Sequence, residues 1–178
     1  CVWRALAVPN ERFAWMVLGI GQLLWGLSEV WWAVFVANDA DAPYPGPSDY
    51  ISLASYPFSF VGIAALVRDR VRRFRRLTWL DGSIAALTVS AIGAAFLLPT
   101  VVDALEGPAL ADAVTLSWPI LDTLLLGFLV GCLILVGWRR DLSWMLLAIS
   151  FAILPLADGI YSYRDASGTY TEGGLLDY

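Results

Sequence analysis

Long apolar stretches alternate with short polar connections along this chain, and the sign of the charge in these connections alternates as well. Arginines dominate every second connection, and acids dominate the ones between. The basic connections hold Arg4 with Arg12, Arg68 to Arg76, and Arg139 with Arg140; the acidic ones hold Asp39 to Asp49 and Asp103 to Asp112. Cytoplasmic loops of multi-span membrane proteins carry the excess of arginine and lysine. The pattern therefore predicts a multi-pass protein of the cytoplasmic (inner) membrane, in contact with the lipid bilayer, with the N-terminal end of this chain in the cytoplasm.

The apolar stretches have the length of membrane-spanning helices. A helical span needs about 17–25 mostly apolar residues, and 59% of this chain is hydrophobic. A soluble helical core would need polar faces, and the stretch from Thr123 to Gly137 has none. We therefore predict a single transmembrane domain over residues 1–178, as a fragment of a longer chain. The predicted spans are about 13–37, 51–67, 77–99, 115–137 and 142–162, and a sixth begins near Gly174.

An arginine closely followed by a tryptophan begins three of the spans. The pairs are Arg12 with Trp15, Arg76 with Trp79, and Arg140 with Trp144, and the tryptophans are 64 and 65 residues apart. The aspartates that open the descending segments, Asp49, Asp112 and Asp177, are 63 and 65 residues apart. A shared period predicts an all-α membrane protein, a polytopic helical bundle of parallel helix-hairpin repeats with a period of about 64 residues. The alternative is that arginine and tryptophan merely gather at the membrane interface.

Four acids fall inside the predicted spans: Asp81 lies near the cytoplasmic end of its span, and the other three lie in the half nearer the outer surface. Glu29 and Asp158 take equivalent places when Trp15 is aligned with Trp144, and Asp122 lies seven residues into the fourth span. A carboxylate in hydrocarbon costs at least about 2.5 kcal/mol. These side chains therefore need a partner, a proton or a cavity that water can enter.

Aromatic residues and prolines share this layer with the acids. The residues predicted to bind a ligand in an outward-facing cavity are Glu29, Asp122, Asp158, Trp25, Tyr56, Trp118 and Tyr161. Pro57, Pro119 and Pro155 would spread the helices there. Since no basic residue lies in the spans, the expected ligand is small and either cationic or hydrogen-bond-donating. The alternative is structural, with protonated carboxyls that join kinked helices.

Several classes of function lack their usual residues. The chain has no histidine and two distant cysteines, which gives no support for a metal site or another cofactor. No motif for a catalytic nucleophile or a phosphate loop is present, so we expect no enzyme within these residues. The run from Arg68 to Arg76 is primarily a topology signal. It can also bind anionic lipid headgroups, whereas a nucleic-acid partner is not expected.

A set of short motifs resembles a family of bacterial signalling proteins. The motifs are Trp25, Pro45-Gly46-Pro47-Ser48-Asp49, Tyr56-Pro57, Trp79-Leu80-Asp81-Gly82, Trp118-Pro119, Asp122 and Asp158-Gly159-Ile160-Tyr161. They are similar to the multi-span N-terminal membrane (sensor) regions of bacterial, notably actinobacterial, GGDEF/EAL cyclic-di-GMP signalling proteins. The resemblance implies a sensory or regulatory input domain that signals to a cytoplasmic output domain, and it supplies no catalytic residues.

Two other functions stay open at this stage. The chain could be a structural or accessory subunit of a larger membrane complex, or it could form a homo-oligomer. A transporter or ion relay would also use acids within spans. A relay would need polar residues that reach both faces of the membrane, whereas the inner half of these spans is apolar.

Cysteine labelling tests the predicted topology. In a background with Cys1→Ser and Cys132→Ser, a membrane-impermeant maleimide applied to intact cells should label Pro47→Cys and leave Arg72→Cys unlabelled. The reason is that the arginine-rich loop is predicted to lie in the cytoplasm. Labelling of Arg72→Cys in sealed cells would contradict the topology, and labelling of both sites after permeabilisation is the control.

Overall fold

The computed structural model describes residues 1–37, 39, 41–70, 76–105, 107–136 and 142–170, and their regular secondary structure is helical throughout. The α-helices are α1 (Val2–Ala7), α2 (Arg12–Trp31), α3 (Pro47–Leu53), α4 (Ser55–Arg70), α5 (Arg76–Asp103), α6 (Ala109–Val136) and α7 (Leu142–Ala166). A 3-10 turn at Pro9–Glu11 precedes α2, and a π-helical turn at Trp32–Val36 extends it. The chain divides into two compact units, Cys1–Phe74 and Arg75–Tyr178.

Five helical stretches among the described residues are long and apolar enough to cross a membrane. They are Pro9–Val36, Pro47–Arg68, Leu80–Asp103, Ala109–Val136 and Met145–Ala166. The shorter ones have 22 residues, which is about 33 Å of helix against a hydrocarbon thickness of roughly 30 Å. The predicted all-helical, multi-span architecture is confirmed to this extent. The predicted sixth span, near Gly174, lies outside the described residues.

The second of these stretches is built from two helices that meet at Ala54. The first of them, α3, ends at Leu53, four residues before Pro57. A proline has no N–H to offer the carbonyl four residues earlier, and its ring crowds that carbonyl. The hydroxyls of Ser52 and Ser59 donate to backbone carbonyls on the two sides of the break, at 3.0 and 3.2 Å. Serine hydroxyls thus add hydrogen bonds to the backbone on each side of the interruption.

In the first unit, α2 and α4 pack antiparallel with their backbones close together. A Cβ built on Gly62 would lie 2.5 Å from Cγ of Leu18, and one built on Gly21 would lie 3.2 Å from the carbonyl oxygen of Ser55. A Cβ at Gly62 would overlap the Leu18 side chain, and one at Gly21 would be tight against its neighbours. Small residues at helix interfaces bring backbones together where lipid supplies no hydrophobic driving force between helices.

In the second unit, α5 and α6 meet along a seam of small residues. The seam consists of Gly82, Ala86, Ser90 and Gly93 on α5, and of Thr123, Gly127 and Gly131 on α6. A Cβ built on Gly131 would lie 2.6 Å from the carbonyl oxygen of Gly82. The hydroxyl of Ser90 donates to the carbonyl oxygen of Thr123 at 3.2 Å. The seam therefore combines close backbone contact with a hydrogen bond between the helices.

The outward faces of these helices are apolar. On α5 the exposed side chains include Leu80, Ile84, Leu87, Ile92 and Phe96, and Phe96 is 74% exposed. Contiguous exposed apolar surface of this kind marks contact with lipid or with another protein. The helices are therefore compatible with direct contact to the bilayer.

The tryptophans of the proposed repeat lie at similar positions near the starts of their helices. Trp15, Trp79 and Trp144 are each the third or fourth residue of an α-helix, in α2, α5 and α7 respectively. The repeat period itself stays a prediction. The arginines at 72, 73, 75, 139 and 140, and Asp177, lie outside the described residues.

The α5–α6 seam yields a stability prediction. A Cβ at Gly127 would meet the carbonyl oxygen of Ala86 and the hydroxyl of Ser90, so Gly127→Ala should destabilise the protein by about 1–3 kcal/mol through overpacking. Gly26 is the matched control, because a Cβ there meets nothing within 4 Å. Gly26→Ala should be neutral, or stabilise by up to about 1 kcal/mol through helix propensity. Unfolding by sodium dodecyl sulfate in mixed micelles, followed by circular dichroism, measures both; equal stability of the two variants would contradict the seam.

Candidate functional site

Asp122 is the most buried acid among the described residues. It is 1% exposed and lies at the midpoint of α6, thirteen residues after Ala109 and fourteen before Val136. It lies deeper along its helix than the sequence predicts, because α6 begins at Ala109 and not near residue 115. The carboxyl is about 20 Å along the axis from the start of the helix. Asp122 interacts with other residues, as a buried polar group requires.

Hydroxyl and carbonyl groups lie close together near the middle of α6. Pro119 has no N–H to donate to the carbonyl of Thr115. The hydroxyl of Thr123 donates to the carbonyl oxygens of Pro119 at 2.8 Å and of Ile120 at 3.0 Å. Asp122 thus lies on a helical turn that is locally rich in hydroxyl and carbonyl groups.

Asp158 lies on α7, at nearly the same level as Asp122. Gly93 of α5 faces Thr123, and Leu97 of α5 faces Gly159, where a Cβ would be 3.3 Å from a Leu97 methyl carbon. Gly93 and Leu97 are one turn apart, so the two aspartates differ in level by about 5 Å or less. Asp158 is half-buried and interacts with other residues. Since α6 packs against α7, these two acids belong to one layer of the second unit.

The two predicted aromatic residues of this unit differ in position. Trp118 is half-buried, one turn before Asp122 on α6. Tyr161 is exposed, and its ring meets the ring of Tyr170 edge-on with centroids 5.0 Å apart. Trp118 is therefore close in level to the aspartate pair, whereas Tyr161 lies at the surface of the unit.

The other predicted site residues belong to the first unit. Tyr56 is buried on α4, and Trp25 is half-buried on α2. Because Gly62 faces Leu18 on the antiparallel partner, Tyr56 and Trp25 lie within one turn of each other in level.

Glu29 lies one turn beyond Trp25, and its side chain is exposed. Its neighbour Ser28 is 2% exposed, and the Ser28 hydroxyl donates to the carbonyl oxygen of Trp25 at 2.6 Å. The buried face of α2 therefore includes Ser28, and Glu29 lies outside it.

The structure thus groups the predicted residues into two sets, each within its own unit. The first unit holds Glu29, Trp25 and Tyr56, and the second holds Asp122, Asp158, Trp118 and Tyr161. The meeting of Glu29 with the two aspartates in one cavity stays a prediction.

Two acids of the predicted outer connections cap helices. The N–H of Gly46 donates to the carboxylate of Asp49 at 2.7 Å, and the N–H of Gly107 donates to the carboxylate of Asp112 at 3.1 Å. Each glycine precedes a proline, and each aspartate lies in the first turn of its helix. Carboxylates there bond otherwise unpaired N–H groups and face the positive end of the helix dipole. Their positions are thus explained by helix capping.

A cluster that none of the sequence motifs marks lies at the start of α2. Glu11 is buried and accepts a hydrogen bond from the indole nitrogen of Trp15 at 2.9 Å. The guanidinium of Arg4 lies 5.8 Å from the centroid of the Trp15 ring. The spacing of Glu11 and Trp15, one helical turn, is the signal that the sequence contains. The cluster fixes α1 against α2.

Comparisons with protein-family models, with curated proteins and with solved structures find no match to this chain.

The contrast between Glu29 and Ser28 can be tested directly. A nitroxide attached at Glu29→Cys should collide with oxygen dissolved in the bilayer much more often than one at Ser28→Cys, because Glu29 is exposed and Ser28 is buried. Power-saturation electron paramagnetic resonance in vesicles measures both collision rates, in the background without native cysteines. If the label at Glu29 is as shielded as the one at Ser28, then Glu29 faces a protein cavity, as the convergent-site prediction requires.

Proposed function

We propose that this chain is a membrane-embedded sensory or regulatory domain whose ligand site is centred on Asp122 and Asp158. The observation that most supports the proposal is the burial of Asp122 at the midpoint of an apolar, span-length helix. Acids within membrane spans are costly, and they commonly mark ion paths or the counter-charge of a ligand. Two such acids at nearly one level on adjacent helices favour a small ligand that is cationic or donates hydrogen bonds.

The helices that carry these acids have built-in points of bending. Pro119 and Pro155 are both buried inside their helices, and a proline within a helix removes one backbone hydrogen bond and permits a kink. A ligand held between Asp122 and Asp158 would favour one angle between α6 and α7 over another. By differential binding, it would shift the population of the two arrangements.

The ends of α6 and α7 would carry this change out of the membrane. The charges of the first unit separate along its helices. In the first unit, Arg12 and Arg68 lie at one end and Asp49 at the other; in the second, Asp103 and Asp112 lie at a common end. We assign the arginine ends to the cytoplasm by the positive-inside rule. An output domain would then attach on that side, as the resemblance to the membrane regions of GGDEF/EAL proteins implies.

A ligand-binding assay with defined cations tests the proposal. Ethylammonium and tetramethylammonium, added to the full chain in lipid nanodiscs, should raise the melting temperature of the protein. A ligand at one hundred times its Kd stabilises the folded state by about 2.7 kcal/mol. Asp122→Asn and Asp158→Asn should each remove most of this shift, because each removes a counter-charge.

Asp165→Asn is the matched control, because Asp165 is exposed near the end of α7. It removes one negative charge from α7, the helix that carries Asp158, and should leave the shift in melting temperature in place. If neither cation stabilises the protein, or if Asp165→Asn abolishes the shift as completely as Asp122→Asn does, the aspartates are structural and the proposed function fails.

A further inference from the structure

A groove runs along the outside of α2 in the first unit, remote in sequence from the aspartate pair. α1 contributes two of its lining residues, and a stripe on α2 contributes the rest. The lining residues that matter here are Ala5 and Leu6, then Arg12, Met16, Ile20 and Leu23. Arg12 is the one charged residue of the described lining, and it lies at the end of the groove where α2 begins.

The groove exists because α1 folds back along α2. A Cβ built on Gly19 would lie 3.3 Å from the Cβ of Cys1, so the first residue of the chain lies beside Gly19, whereas the other end of α1 leads into the turn before Arg12. The two helices are therefore antiparallel. The cluster of Arg4, Glu11 and Trp15 fixes α1 in this position, and the side of α1 with Ala5 and Leu6 forms one wall.

The length and charge of the groove match one leaflet of a bilayer. From Arg12 to Leu23 is eleven residues, or about 16 Å of helix, and one leaflet contributes half of a hydrocarbon thickness of roughly 30 Å. The Arg12 cation thus lies at one end of the groove, and the apolar part of the groove extends from it over about the depth of one leaflet. An acyl chain with a phosphate headgroup has this same distribution of polarity and length.

A second arginine lies at the same level as Arg12. Gly62 of α4 faces Leu18 of α2, and the helices are antiparallel. Arg12 lies six residues before Leu18 on α2, and Arg68 lies six residues after Gly62 on α4. Because the helices run in opposite directions, the two arginines share a level. Both side chains are exposed. The arginine level is therefore where lipid phosphates would lie, and Arg12 is the arginine that opens onto the groove.

We propose that the groove between α1 and α2 binds one anionic phospholipid, with an acyl chain along Met16, Ile20 and Leu23 and the phosphate on Arg12. Ordinary lipid contact with an exposed helix face has no headgroup preference. This site would prefer an anionic headgroup, and its occupant would form part of the packed surface of the first unit. This lipid site is independent of the aspartate pair and its ligand.

Lipid retention measured by native mass spectrometry tests this site. The full chain, purified in detergent, is mixed with dioleoyl phosphatidylglycerol or with dioleoyl phosphatidylcholine. Wild type should retain phosphatidylglycerol preferentially, and Arg12→Gln should lower that preference about fivefold, as expected for the loss of one arginine near a headgroup. Arg164→Gln is the matched control, since it removes the same charge from an exposed position on α7 outside the groove, and it should retain most of the preference.

Filling the groove should remove the lipid without changing charge. Ile20→Trp should abolish retention of phosphatidylglycerol, whereas Leu87→Trp on the exposed face of α5 should not, and circular dichroism checks that both variants are helical. The unmodified chain allows a further measurement. A phosphatidylglycerol with a photoreactive acyl chain should cross-link to it preferentially within residues 16–23. Equal losses in Arg12→Gln and Arg164→Gln, retention in Ile20→Trp, or cross-links spread evenly over the exposed helices would each overturn the site.

Discussion

Close approach of helix backbones at small residues is the interaction on which each unit depends. Between apolar helices in lipid there is no water to expel, so the attraction must come from tight contact and from hydrogen bonds. Gly127 and Gly131 of α6 lie against carbonyl groups of α5, and Gly62 of α4 lies against the side chain and the backbone nitrogen of Leu18 on α2. A side chain at any of these places would push the backbones apart locally and weaken the contact between the helices.

This contact also determines where polar side chains can lie. The seam is narrow, and the polar groups that it holds are small hydroxyls. Those of Ser90 and Thr123 donate to backbone carbonyls there. Larger polar groups must lie beside the seam. Asp122 is such a group, next to Thr123 in the chain but on another face of α6, where it is buried and interacts with other residues. The seam thus explains why the polar region of the second unit lies around Asp122.

The helical spans could be predicted from the sequence because length and hydropathy are local properties. The level of a residue along a span could be estimated as well, although Asp122 shows the limit of this. Its level depended on where α6 begins, which is set by Gly107, Pro108 and the capping carboxylate of Asp112. What the sequence could not give is the direction in which a side chain points. Glu29 and Ser28 are neighbours, yet one is exposed and the other buried, and only the partner helices decide which.

The proposed repeat shows that two residues can share a level along their helices and still differ in their surroundings. Aligning Trp15 with Trp144 equates Glu29 with Asp158, and each follows its tryptophan by fourteen residues. Their surroundings nevertheless differ, since Glu29 is exposed on α2 whereas Asp158 is half-buried on α7. A duplication fixes where helices begin and how far along them an acid lies, but helix packing decides whether that acid meets lipid, protein or a ligand. Of the acids within the spans, Asp122 and Asp158 are therefore the two that lie in one layer of a single unit, on adjacent helices.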